Sequence, residues 1–153
     1  MKVTLDQIKQ LRNETKAGVM DARKALMESG GDMAMAKQWL TKQGLKKAAK
    51  KAGRETSEGL IEAYIHAGAR VGAIVKLSCE TDFVAKTEEF KTLAREVAMQ
   101  VASMSPKNIK ELSKQAYIRD SRKTIADLLK EAIAKLGENV KVEKIERMEV
   151  GKS

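Results

Sequence analysis

Apolar residues recur at helical spacing in the first third of the chain, where glycines and capping residues interrupt them. Thr4 and Gln7 form a capping-box pattern that predicts the start of a first helix. Asp32 suits the N-cap of a third helix, and Gly44 is predicted to end it. The helices are expected over 5–15, 19–29 and 33–43. Their apolar positions are Leu5, Ile8, Leu11, Ala22, Ala25, Leu26, Met33, Ala36, Trp39 and Leu40. The pattern predicts a compact three-helix head.

The period of the apolar positions changes after a lysine-rich segment. Residues 45–52 are predicted to form a basic linker helix, and the Gly-, Ser- and Thr-containing stretch up to Gly59 indicates a boundary. Apolar and polar residues then alternate over 60–66 and over 71–79, and the four residues between these strands suit a hairpin turn. The alternating apolar residues of the first strand are Ile61, Ala63 and Ile65. The expected organisation is a head at 1–44, a linker helix and boundary at 45–59, and an α+β core at 60–153.

Helical spacing returns in the second half of the chain. An apolar stripe from Phe90 to Met104 predicts a long helix that ends at the break before Pro106. The polar stretch 107–119 is expected to form a short helix and a loop.

A second long helix and a last strand complete the prediction. Asp120 is a candidate cap for this helix, whose apolar pattern covers Ile125–Leu136 and stops at Gly137. The alternation in the last strand, 140–150, slips, which indicates a bulge or an edge position. The predicted fold class is therefore α+β, with a three-stranded antiparallel sheet packed against two long helices.

Charge is the one feature of the composition that suggests a partner. The formal net charge is +9, and a basic surface attracts nucleic acid, anionic lipid or an acidic protein face. Much of this charge lies in 46–54, which is equally typical of a solvated helix with lysines along one side. Apolar runs are too short for a membrane span, so we expect a cytoplasmic protein without membrane association.

The inventory of reactive side chains does not favour an enzyme. The chain has one histidine and one cysteine, and it lacks metal-ligand spacing, a P-loop pattern and a dinucleotide-binding pattern. His66 is expected on the wetter face of a strand, and Cys79 is expected to be a structural thiol. We therefore expect no catalytic residue, no metal and no cofactor.

Nucleic-acid binding is the competing hypothesis, because three helices followed by a basic segment can imitate a helix-turn-helix. Only 3% of the residues are aromatic, which leaves no stacking platform for single strands. Asp21, Glu28 and Asp32 would also weaken a phosphate-facing surface. Direct nucleic-acid binding is thus the less favoured alternative.

Phe83 lies in the turn between a predicted strand and a predicted helix, where apolar side chains are usually sparse. One interpretation is a hydrophobic staple that clamps the following helix. The other is an exposed aromatic anchor beside Asp82, the kind of group that carries binding energy in an interface. Spacing alone leaves both open.

Two motifs connect the chain to a known family. Residues 11–26 read LRNETKAGVMDARKAL and resemble the N-terminal signature of bacterial translation elongation factor Ts. Residues 79–85 read CETDFVA and resemble the second signature of that family. The resemblance extends through the Gly-Gly-Asp at 30–32, the Lys-Lys-Ala-Gly at 50–53 and the segment 133–140, and so covers nearly the whole chain.

This resemblance implies a function. Members of the family promote nucleotide exchange on elongation factor Tu: they bind its GDP form, expel GDP and Mg²⁺, and are displaced when GTP binds. The resemblance implies that Phe83 inserts near the partner's Mg²⁺-binding region, with Asp82 assisting by polar contact. The implied partner-binding segment is Thr81, Asp82, Phe83 and Val84. The head residues implied to hold the partner's nucleotide-binding domain are Leu11, Arg12, Val19 and Met20. The head itself resembles a ubiquitin-associated domain.

The sequence also departs from the family pattern. Lys16 stands where glycine is usual, and Ala22 and Arg23 stand where cysteine and lysine are common. Longer members carry a second core subdomain and a helical hairpin, for which the stretch 106–120 has no room. Short members with one core subdomain are implied to pair as homodimers through their sheets, so the core at 60–153 is the expected dimerisation domain.

Overall fold

A computed structural model of the protein describes residues 2–152 and combines helices with antiparallel sheet, which confirms the α+β prediction. The helices of this part of the chain are α1 (Leu5–Thr15), α2 (Val19–Glu28), α3 (Met33–Lys51), α4 (Asp82–Ala85), α5 (Glu88–Met104), α6 (Ile109–Lys114) and α7 (Ile125–Leu136). The strands are β1 (Glu58–Ile65), β2 (Val71–Cys79), β3 (Ala116–Tyr117), β4 (Asp120–Thr124) and β5 (Val140–Glu149). Over residues 2–152, each helix is too short or too polar to cross a membrane.

The first three helices pack around a small apolar core. The predicted capping box is present: the Thr4 hydroxyl accepts a hydrogen bond from Gln7 N, and the Gln7 side chain accepts one from Thr4 N. The buried residues of the head are Ile8, Leu11, Ala22, Ala25, Leu26 and Ala36, with Val3, Met33, Trp39 and Leu40 packed against them. Leu5 is exposed at the free end of α1, so the inward face of that helix begins at Ile8.

The predicted helix end at Gly44 is wrong, because α3 continues without interruption to Lys51. Gly44 is not among the residues with positive φ, so it does not act as a left-handed cap. Its missing Cβ instead allows close approach of α7: a Cβ built at Gly44 would lie 3.1 Å from the Cβ of Ala134. One helix thus passes from Ala36 in the core of the head to Ala48 in the core of the body.

The main sheet has the strand order β1-β2-β5, and both neighbouring pairs are antiparallel. The first two strands form the predicted hairpin. Ile61, Ala63 and Ile65, the apolar set of β1, are exposed on the sheet face opposite to the buried Ala73, Val75 and Leu77. The last strand occupies an edge and its register shifts between Lys76 and Leu77 of β2, which confirms the predicted irregularity.

Helix α5 contributes more buried residues to the body's core than any other described element. Its predicted stripe is buried from Phe90 to Val101, whereas Met104 is half exposed at the C-terminal end. The helix contacts all three strands of the main sheet. Thr87 caps its start, accepting a hydrogen bond from Phe90 N.

The predicted cap of α7 at Asp120 is wrong. Thr124 is the N-cap, and it forms a reciprocal capping box with Asp127. Asp120 instead begins β4, where the Arg122 guanidinium donates to both of its carboxylate oxygens and lowers the pKa of Asp120 to about 2. The stretch predicted as a short helix and a loop contains α6, as expected, followed by the β3–β4 hairpin.

Candidate functional site

The turn between β2 and α5 is a single helical turn with an inner and an outer side. Thr81 is the N-cap of α4 and its hydroxyl accepts a hydrogen bond from Val84 N at 3.4 Å. Val84 packs against the body's core and Ala85 is buried within it. Asp82 and Phe83 are exposed. The four residues predicted as a binding segment therefore divide into two that anchor the turn, Thr81 and Val84, and two that it presents.

Phe83 is 81% exposed, whereas the chain's other phenylalanine, Phe90, is completely buried in the body's core. This exposure excludes the staple interpretation, because a staple must pack against the helix that it clamps. Burying a phenylalanine side chain is worth roughly 2 kcal/mol, and the exposed Phe83 does not gain this free energy in the free protein. That free energy is available when a partner covers the ring.

Asp82 lies beside the ring and is only weakly held. Its carboxylate accepts from Lys86 Nζ at 3.1 Å, and both side chains are largely in solvent. An exposed pair of this type contributes between about 0 and 1 kcal/mol. The carboxylate can therefore exchange Lys86 for a polar group of a partner at little cost.

The predicted head residues lie around the turn from α1 to α2. Val19 and Met20 are exposed in the first turn of α2, and Arg12 is exposed near the end of α1, where its Nε donates to Ala17 O. Leu11 is fully buried in the head's core, so its predicted role as a direct contact is not available in this conformation. Leu11 instead supports the backbone that presents Arg12.

The positions of Cys79 and His66 are those of structural residues and not of reactive ones. Cys79 is buried, and its thiol donates to Thr81 O at 3.1 Å. Burial raises the pKa of this thiol, and the nearby Glu138 carboxylate raises it further, so the reactive thiolate is disfavoured. His66 is exposed just after β1 and contacts the Tyr64 hydroxyl through Nδ1 at 3.1 Å.

One residue of this region was missed in the sequence. Glu138 follows the helix-ending Gly137 and contacts the turn at Thr81 across 57 positions of sequence. A glycine C-cap followed by two polar residues before a strand was the only local signal. Such a signal cannot show which distant turn the side chain reaches.

The fold is that of an α+β protein with a helical head and a body built on a sheet. The head presents apolar and charged side chains to solvent at the turn from α1 to α2, and the body presents them at the turn at α4. The family model for elongation factor Ts matches residues 80–153. Elongation factor Ts of Leptospira biflexa is 41% identical over 99% of this chain and 99% of its own length. That of a Thermoanaerobacter species is 40% identical over 97% and 95%, and that of Rippkaea orientalis is 40% identical over 97% and 78%.

The chain belongs to the elongation factor Ts family, which gives it a role in translation elongation. The alignment with the Leptospira relative spans 196 positions although this chain has 153 residues. The relative therefore carries segments that this chain lacks.

Proposed function

We propose that the protein is a guanine-nucleotide exchange factor for elongation factor Tu, which promotes release of GDP and Mg²⁺ in the cytoplasm during chain elongation. The observation that carries this proposal is the exposed Phe83 in a turn whose sequence, Thr81 to Val84, matches the second family signature. The protein acts by binding alone, without a catalytic residue or cofactor of its own.

An exchange factor needs no catalytic chemistry, because it and GDP are two ligands of elongation factor Tu whose binding is coupled. If the factor binds nucleotide-free elongation factor Tu more tightly than the GDP form, it must weaken GDP affinity by the same ratio. Coupling of about 1–3 kcal/mol already changes affinity by about 5- to 150-fold. Side chains that bind the partner while disturbing its Mg²⁺ site are sufficient to produce this coupling.

The turn at α4 supplies those side chains. Phe83 enters the partner near the Mg²⁺-binding region, and burial of its ring offsets the cost of disturbing that region. Asp82 makes a polar contact there after releasing Lys86. Thr81 and Val84 keep the turn in place, Thr81 by capping it and Val84 by packing on the core.

The head holds the partner's nucleotide-binding domain. Val19 and Met20 form an apolar contact at the start of α2, and methionine adapts well to a partner's surface. Arg12 adds directed hydrogen bonds. Leu11 contributes indirectly, through the packing of the head.

The protein pairs as a homodimer through the open face of the main sheet. The exposed apolar side chains there are Ile61, Ala63, Ile65, Ile74 and Met148. They lie on the sheet face opposite to the buried Val75 and Leu77, and strands β1 and β5 are both sheet edges. A self-complementary apolar surface of this kind suits a two-fold interface.

Release of fluorescent GDP from elongation factor Tu tests the proposed function. Substoichiometric amounts of the protein should accelerate release at least about tenfold over the spontaneous rate, which corresponds to lowering the barrier by about 1.4 kcal/mol. An equal amount of a basic protein of similar charge serves as the control for nonspecific effects. Unchanged GDP release, combined with salt-dependent binding to RNA or DNA, would contradict the proposal and favour nucleic-acid binding.

A further inference from the structure

We propose that Glu138 is a positioning residue for Phe83: its carboxylate fixes the turn that presents the ring, although it is not part of that turn. The inference rests on the proposed function of Phe83. It adds a residue from the connection between α7 and β5 to the exchange machinery.

Both oxygens of the Glu138 carboxylate accept hydrogen bonds from the two residues that follow β2. Oε1 accepts hydrogen bonds from Glu80 N at 3.1 Å and from Thr81 N at 2.9 Å. Oε2 accepts from the Thr81 hydroxyl at 2.7 Å. Three donors on two consecutive residues therefore converge on one charged group, and hydrogen bonds to a charged acceptor are stronger than neutral ones.

Thr81 transmits this restraint to α4. Its hydroxyl donates to Glu138 and accepts from Val84 N, so one oxygen links the carboxylate to the helical turn. Phe83 lies between Thr81 and Val84 in the sequence. With its ring 81% exposed, Phe83 has little packing of its own, and its direction depends on the backbone of the turn.

The residues on either side of Glu138 are anchored by their conformation and hydrogen bonds. Gly137, the C-cap of α7, adopts a left-handed conformation with φ 75°. Asn139 is buried, donates from Nδ2 to Ala52 O and Arg54 O, and donates from its backbone N to the Glu80 carboxylate. The end of α3, the end of α7 and the end of β2 therefore meet at this point, which holds the Glu138 carboxylate in a fixed position.

Glu143, within β5, provides a matched control. Its carboxylate accepts hydrogen bonds from the Thr56 hydroxyl at 3.2 Å and from the Ser78 hydroxyl at 2.9 Å, and neither bond involves residues 80–84. Loss of either carboxylate removes hydrogen bonds to residues that are distant in the sequence. Only loss of Glu138 releases the turn at α4.

The first experiment measures stimulated GDP release with Glu138→Ala, Glu138→Gln and Glu143→Ala, each checked for folding by its thermal transition. Glu138→Ala should reduce the stimulated rate about tenfold, as expected for loss of charge-assisted hydrogen bonds. Glu138→Gln keeps one acceptor oxygen for the backbone donors and should fall between Glu138→Ala and the unsubstituted protein. Glu143→Ala should keep the original rate. Full activity of a folded Glu138→Ala would overturn the assignment.

A double-mutant cycle with Phe83→Ala separates positioning from a general structural role. If Glu138 acts mainly through Phe83, Glu138→Ala should have only a small further effect on exchange once the ring is absent, because only the contact of Asp82 then remains to be misplaced. A further tenfold loss in the Phe83→Ala background would show that Glu138 acts elsewhere, and would overturn the proposal. If Phe83→Ala alone left exchange unchanged, the proposed role of Phe83 itself would fail, and with it the role of Glu138.

Discussion

Gly44 of α3 lies against Ala134 of α7 so closely that a Cβ at position 44 would be 3.1 Å from the Ala134 Cβ. The body therefore holds α3 at a point between its two buried alanines, Ala36 in the head and Ala48 in the body. This contact fixes the helix that joins the two parts of the protein.

Gly44→Val should destabilise the protein, although glycine is normally the weaker residue within a helix. The larger side chain must displace α7 or distort its own rotamer, at a cost of about 1–3 kcal/mol in the free energy of unfolding. Urea denaturation measures the effect. Ala134→Gly should restore part of the loss in the double variant. Ala49→Val, on an exposed position of the same helix, should cost no more than about 0.7 kcal/mol. A stabilised Gly44→Val variant would show that α7 does not restrict this site.

Lys16→Gly should stabilise the protein. Lys16 is the C-cap of α1 and has φ 59°, a left-handed conformation that costs a non-glycine residue about 1 kcal/mol. Restoring the glycine that is usual in the family should raise the free energy of unfolding by about that amount. Lys9→Gly, on the exposed side within α1, should have the opposite sign and a similar size. Equal destabilisation by both substitutions would contradict the account of the cap.

Tyr117 should ionise only at high pH. Burial raises its pKa from 10.0 to about 12, and the Glu96 carboxylate, which accepts from its hydroxyl at 2.6 Å, contributes to the shift. Because the pKa of Tyr117 is higher in the folded state, the contribution of the neutral phenol to the free energy of unfolding is fully present below pH 10. This contribution is lost as the pH rises towards 12. Absorbance titration near 295 nm in a Tyr64→Phe background isolates this group.

Glu96→Gln should lower the pKa of Tyr117 while burial keeps it above 10, because the carboxylate disfavours the phenolate. An unchanged titration curve in Glu96→Gln would mean that the hydrogen bond does not influence the phenol.

Ile61→Glu should convert the proposed homodimer into a monomer. Ile61 is exposed on the open face of the sheet, and Lys76 lies directly across the strand pair, so a glutamate there is tolerated in the single chain. Each copy would lose roughly 2 kcal/mol of apolar burial at a two-fold interface. Light scattering at several concentrations reports the mass, with Lys9→Glu on the distant head as control. A monomer throughout the series for the unsubstituted protein would refute the dimer.

Local periodicity explains why most elements were predicted correctly. The stripe of α5 and the alternation of β2 depend on residues that are neighbours in sequence, so their pattern reports the buried face directly. Gly44 was misread because its role depends on α7, about 90 positions away in sequence. The cap of α7 was misplaced because Asp120 and Thr124 both suit an N-cap. Thr124 followed by Asp127 was a readable capping-box signal.

The candidate site was predictable only in part, for the same reason. The position of Phe83 in a strand-to-helix turn follows from residues that are neighbours in sequence. The two family motifs identify the residues of the turn at α4 and of the turn from α1 to α2. Exposure of Phe83 and burial of Leu11 depend on tertiary packing. The hydrogen bond that the Thr81 hydroxyl donates to Glu138 joins segments that no sequence pattern relates.

The most direct test of the central claim is the rate of stimulated GDP release from elongation factor Tu with Phe83→Ala. The variant should fold normally, since its lost side chain is exposed, and Phe83→Leu should keep part of the effect by retaining apolar bulk. Loss of roughly 2 kcal/mol of ring burial predicts a stimulated rate about 30-fold below that of the unsubstituted protein. A folded Phe83→Ala variant that releases GDP at the original stimulated rate would contradict the proposal that this ring drives exchange.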